Sequence, residues 1–234
     1  MHISLFRIDN DEVMAEDRYI LFDERTRRVL RRLLQRKAVT FFLPPLRQHH
    51  RATHDHSIRV GELAVDVALE NGISVRNAER IGTAALLHDI GKTVVRRELL
   101  EKNGPLEPHE TEEFRQHARA AHIALARRVH ETIRNIVVAH HELKRRSPYP
   151  RSQTTPRRQR IRPVLSNRRR PSELGNWVQI VAAVDIFDAL VSSRPYKQPI
   201  ALDRLRETML EEFAGTPTLV EQLVRRRSTR SETA

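Results

Sequence analysis

The sequence predicts an all-α fold, a bundle of about six to eight helices interrupted by one long basic loop. Three observations lead there. Only seven glycines occur in 234 residues, too few for a turn-dense β fold. Apolar residues recur at helical spacing from Thr53 onward, as in the stripe Val60, Leu63, Ala64, Val67 and Ala68. Five prolines and a run of arginines then crowd into 143–173, a composition that suits a solvated loop rather than a packed element.

Taken in order, residues 1–48 read as a short N-terminal extension, with a basic helix around 24–36 and a stop at Pro44-Pro45. The helix from Thr53 closes at Asn71-Gly72. Further helices are predicted over 76–88, 110–129, 131–142 and 177–191; Asp203 caps another, and 217–227 forms the last. One domain then occupies 49–228, with 143–173 as an Arg-rich insertion and 229–234 as a flexible tail.

Cysteine is absent, which excludes disulfides and zinc–thiolate sites, so any metal must be held by His and carboxylates. No apolar run approaches the ~20 residues that span a bilayer. Asp9, Asp11 and Glu12 stand where a signal peptide would be basic and then apolar. The expectation is a cytoplasmic protein with no membrane contact. The net charge of +12 is regional: 143–173 holds eleven Lys or Arg and one acid. That stretch reads either as a solvated loop or as an electrostatic arm for nucleic acid or an acidic protein. It lacks the interleaved aromatics of a stacking surface.

Of twelve histidines, His2, His49, His50, His109 and His130 sit among polar neighbours and read as solvated. His54 and His122 are ambiguous. Others fall on apolar faces. His56 lies four residues before Val60, His88 follows Ile81 and Ala85, His117 follows Phe114, and His140 follows Ile133 and Val137. Asp185 and Asp188 share a face with Val178 and Val181. A lone buried histidine is usually a hydrogen-bonded core residue, but a lone buried carboxylate costs several kcal/mol. Five helices each aiming such a group inward are satisfied together by shared cations. Without thiolates, Fe, Mn, Ni or Zn suits the set, and Mg is also admissible.

These residues carry a resemblance. His56-Ser57-Ile58-Arg59-Val60, His88-Asp89-Ile90-Gly91-Lys92, Gln116-His117, Val138-Ala139-His140-His141-Glu142 and the run Val184–Lys197 occur in order. With them the chain resembles the HD superfamily of metal-dependent phosphohydrolases, and within it the HD-GYP group, which hydrolyses cyclic di-GMP. The resemblance covers about 53–227. It implies that His56, His88, Asp89, His117, His140, His141 and Asp185 ligate two divalent ions, with Fe or Mn favoured. Asp89 would be the catalytic bridge, between His56, His88 and Asp185 on one ion and His117, His140 and His141 on the other. Ala52 stands where some members carry a Glu for a third ion. Lys92, Arg194 and Lys197 match the phosphate-contacting cations, with Lys92 also catalytic, and Asp188 matches a position that supports the site. Tyr149 matches the motif tyrosine that contacts the nucleotide.

The family segment after the double His has the form H-H-E-R-x-D-G-x-G-Y-P. Here it runs His140-His141-Glu142-Leu143-Lys144-Arg145-Arg146-Ser147-Pro148-Tyr149-Pro150. Leu143 replaces the Arg, Arg145 the Asp, and Arg146 and Pro148 the glycines. Arg and Pro reach φ > 0 poorly or not at all, so the substrate pocket differs more than the ligand set. Three readings follow: a phosphodiesterase for cyclic di-GMP or linear pGpG, a phosphohydrolase for another nucleotide, or a catalytically weak cyclic-dinucleotide sensor or adaptor.

Overall fold

A computed structural model describes residues 22–146, 148, 149, 172–192 and 200–231. Among them are ten α-helices: α1 Glu24–Leu34, α2 Lys37–His49, α3 Arg51–Glu70, α4 Val75–Leu87, α5 Arg97–Leu100, α6 Pro108–Ala124, α7 Glu131–Ala139, α8 Glu173–Val191, α9 Leu202–Glu212 and α10 Pro217–Ser231. A 3₁₀ turn, Ile90–Val94, follows α4. The two helices beyond the expected number are α2 and the four-residue α5. The last helix extends to Ser231, into the stretch read as a tail.

The caps show why these segments start where they do. The Asp23 carboxylate accepts from Thr26 N, 2.7 Å, at the head of α1, and Ser172 Oγ accepts from Gly175 N, 3.0 Å, at the head of α8. Glu107 and Glu110 form a capping box on α6, with Pro108 at its first position. Asp203 does not cap α9: Ala201 occupies the N-cap position without a side-chain bond, and the Asp203 carboxylate accepts from Arg204 N within the first turn.

The expected stop at Pro44-Pro45 fails, because both prolines lie inside α2. Val39, Leu43 and Leu46 around them are fully buried. Burial of such side chains, roughly 1.5–3 kcal/mol each, offsets the cost of about 3 kcal/mol for a proline in a helix interior. The apolar faces of α1 and α2 thereby join the same core as the rest of the bundle.

The centre of that core is α8, buried on every face and packed by α3, α4, α7, α9 and α10. It corrects one expectation: at 19 residues and mean hydropathy 1.5 it is long and apolar enough to cross a membrane. Its apolar window is 78% buried inside the fold, so its hydrophobicity is that of a core helix. The outer helices are tied to α3 by polar contacts. Arg226 of α10 pairs with Asp66 and Glu70, and Thr26 of α1 donates to Asp66, 3.0 Å.

Gly91 sets the closest approach. A Cβ there would lie 1.9 Å from His117 O and 2.7 Å from Ala121 N, both rigid backbone of α6. Only glycine lets the 3₁₀ turn sit this tightly on α6. Gly91→Ala is expected to destabilise the protein by about 1–3 kcal/mol, measured by urea denaturation; an unchanged midpoint would show that the turn does not depend on this contact.

Candidate metal centre

The ligand-type residues sit at helix interiors and ends that the packing brings together. His56 is in α3, His117 in α6, and Asp185 and Asp188 in α8; His88 and His140 cap the C-termini of α4 and α7. All are buried, as are Asp89 and His141. Candidate ligand atoms converge in two groups, Asp89 with His117, His140 and His141, and His56 with His88 and Asp185. Within each group they lie within 4.8 Å of one another. The Asp89 carboxylate faces both: Oδ1 is 3.6 Å from His117 Nε2, and Oδ2 is 3.3 Å from His88 Nε2.

Three of the imidazoles are oriented by one repeated device. Nδ1 of His88, His117 and His140 lies 2.6, 2.7 and 2.5 Å from the carbonyl oxygens of Ala85, Phe114 and Val137, each three residues earlier. A carbonyl only accepts, so each ring donates from Nδ1. The buried Nε2 atoms of all three have no hydrogen-bond partner. Buried unsatisfied groups of this kind cost about 1–3 kcal/mol each, and three aimed at two carboxylates are what cation ligation requires.

His56 is fixed differently. Its Nδ1 donates to Asp188 Oδ2, 2.7 Å, and its Nε2 lies 3.0 Å from Asp185 Oδ1. Asp188 is itself gripped by Arg59, whose Nε and terminal nitrogen donate to the two carboxylate oxygens at 2.8 and 2.9 Å. The chain Arg59–Asp188–His56 thus orients the ring from behind. Arg59, three residues after His56 in the first motif, was not assigned a role from sequence; its i+3 spacing on the His56 face is the signal that marks it.

The electrostatics divide the histidines. Burial lowers His117 to about 4 and His140 to about 3, and burial with the nearby His140 holds His141 well below its usual value. His88 is the exception: burial would lower it, but the Asp89 charge raises it. Asp89 stays ionised despite complete burial because His88 and Lys92 hold its pKa well below the carboxylate range. Asp185 and Asp188 are likewise lowered against desolvation, chiefly by His56.

Lys92 pairs with Asp89 Oδ2, 2.6 Å, beside the Phe114 ring. Tyr149 is buried against the group of His117, His140 and His141. Its ring lies 4.3 Å from that of His141 at 35°, with the Arg115 guanidinium 5.5 Å from its centroid. Burial, and then the charges of Asp89 and Asp185, hold its phenol well above the usual pKa. Arg194, Lys197 and most of 143–173 lie outside the described residues. Three histidines read as solvated have work in the fold: His50 and His130 cap α3 and α7, and His49 bonds Val95 O at 2.8 Å. His54 bonds Asp55, and neither it nor His122 belongs to either ligand group.

Residues 53–190 match the HD domain family. The chain belongs to it. This HD domain is 36% identical over 181 residues to a cyclic di-GMP phosphodiesterase of Thermotoga maritima, a match covering 74% of this chain and 44% of that protein. It is 32% identical over 148 residues to the cyclic di-GMP phosphodiesterase response regulator RpfG of Xanthomonas campestris pv. campestris, covering 62% and 35%. A 3'3'-cGAMP-specific phosphodiesterase 2 of Vibrio cholerae is 28% identical over 179 residues, covering 74% and 31%. The chain spans less than half the length of these relatives. The HD domain of the L. monocytogenes phosphodiesterase PgpH shares the fold, with a TM-score of 0.51 and 16% identity over 82% of this chain and 97% of that one.

The lowered histidines make the metal-free HD domain acid-sensitive. Between pH 6.5 and about 4 the unfolded chain protonates His117 while the folded chain does not. Stability is therefore full above 6.5 and falls with pH across that window, by roughly 3 kcal/mol from His117 alone. His140 and His141 add to the loss in the same direction, and the raised His88 opposes it. Melting of the chelator-treated protein is expected to shift to lower temperature as pH drops from 6.5 to 4; a flat or rising profile would contradict this arrangement.

Proposed function

We propose that this HD domain is a metal-dependent phosphodiesterase that cleaves cyclic di-GMP or its linear product pGpG. The observation that carries the reading is the pair of buried ligand groups, His56–His88–Asp185 and His117–His140–His141, with the Asp89 carboxylate turned toward both. Seven groups of matched donor type suit two divalent ions, Fe or Mn by preference, with Ni, Mg or Zn also compatible. Such a pair, when bound, lowers the pKa of a shared water and stabilises both oxygens of an in-line displacement at phosphorus.

The chain's own residues would do the rest. Asp89 faces both groups and keeps its charge because His88 and Lys92 stand against it. The carbonyls of Ala85, Phe114 and Val137 hold three imidazoles in one tautomer. Asp188, held by Arg59, keeps His56 turned toward Asp185. Lys92, beside Asp89, would neutralise charge building on the phosphodiester, and Arg194 and Lys197 are assigned the same role from their motif positions. Tyr149, against His141, would contact the nucleotide beside the second group.

A second reading, cleavage of a different cyclic dinucleotide, is favoured by the altered segment after His141. Leu143, Arg145, Arg146 and Pro148 replace the motif residues, and the relatives include phosphodiesterases named for 3'3'-cGAMP as well as for cyclic di-GMP. One assay separates the readings: metal content by mass spectrometry, with turnover of cyclic di-GMP, pGpG and 3'3'-cGAMP by the wild type, His88→Ala and Asp89→Ala. Two ions per chain are expected. Either substitution should lower cleavage by on the order of a hundredfold or more, since loss of groups behind the ligands alone costs about 10–100-fold. Faster turnover of 3'3'-cGAMP would select the second reading. Bound metal and tight nucleotide binding without turnover would overturn both in favour of a sensor.

A further inference from the structure

Immediately after His141 the chain is clipped to the end of α9. Lys144 and Phe213 form an isolated antiparallel bridge, Ala214 N donates to Leu143 O, 2.8 Å, and Arg145 N donates to Glu212 O, 3.0 Å. The Arg145 Nε donates to the carbonyls of Leu210 and Phe213 at 2.9 and 3.0 Å. This guanidinium therefore caps the C-terminal end of α9, where helix carbonyls lack partners and the dipole favours a cation. Leu143 packs on the hydrophobic core. The residues that break the family motif on either side of Lys144 thus form an anchor.

Lys144 sits between those two anchors, half-buried. Among the described residues it makes no ion pair, unlike Lys92, which is bound to Asp89. Its backbone N lies 3.3 Å from His141 O, one turn from a ligand-type residue, and its charge acts on both His141 and Asp185. A partly desolvated ammonium is stabilised by an anion that arrives beside it.

We propose that Lys144 is a phosphate-binding residue of this site, held one turn after His141 by the clip between residues 143–145 and the end of α9. The proposal rests on the phosphodiesterase reading for its substrate, a cyclic dinucleotide, whose phosphates would meet Lys144 as they approach the two ligand groups. The clip uses backbone atoms and the Arg145 side chain, so replacing the Lys144 side chain leaves it intact.

The test compares metal-loaded wild type, Lys144→Ala and Lys144→Arg, with metal content and circular dichroism confirming that the fold and centre persist. Two probes are used, cyclic di-GMP and inorganic phosphate. Lys144→Ala is expected to raise KM for cyclic di-GMP and Kd for phosphate by about tenfold, the scale of one charge-assisted hydrogen bond, with kcat changed by less than about twofold. Lys144→Arg should restore both. Phosphate binding that depends on Lys144 in a protein that neither binds nor cleaves cyclic di-GMP would retain the proposal and reject the substrate. Unchanged binding of both probes in Lys144→Ala, or binding of neither by the wild type, would overturn it.

Discussion

The structure turns on two carboxylates, Asp89 and Asp185, buried among imidazoles in the middle of a helical bundle. Ions taken that far from water are tolerated only when other charges and hydrogen bonds surround them. Here His88, Lys92 and His56 hold both aspartates ionised against desolvation. The neighbouring His117, His140 and His141 are driven toward the neutral form by the same burial. Anionic oxygens and neutral imidazole lone pairs in one dry space are the donor set that a divalent cation completes.

The surrounding fold can be understood as the support for that space. The all-round apolar α8 is what places Asp185 and Asp188 at depth, and its hydrophobicity follows from being packed on every face. Gly91 lets the turn carrying Asp89 touch the backbone of α6 at His117. The repeated contact from a histidine Nδ1 to the carbonyl three residues earlier costs the helices nothing extra. A carbonyl oxygen has two lone pairs, so those of Ala85 and Val137 near helix ends, and of Phe114 within α6, each have room for a ring N–H. Precision at the centre thus comes from helix geometry rather than from long polar networks.

Much of this was legible in the sequence. The helical period from Thr53 gave α3, α4 and α7 to within a few residues, because amphipathic stripes of that length admit no other element. His56, His88, His117, His140 and Asp185 stood out because polar side chains on apolar faces need a reason. What sequence could not show depended on tertiary contact. The prolines of α2 are carried by the burial of Leu43 and Leu46, which outweighs a local rule. His50 and His130 are helix caps, a use of histidine that polar neighbours conceal. Arg145 reads as a disrupted motif until the end of α9 is seen against it.

The central claim is that Asp89 is shared by two ligand groups, each suited to one ion. Anomalous diffraction from crystals reconstituted with manganese tests it most directly. Two peaks are predicted, about 3.5–4 Å apart as in other two-metal sites, one among His56, His88 and Asp185, the other among His117, His140 and His141, with Asp89 between them. A single peak, or peaks not touched by Asp89, would contradict the account.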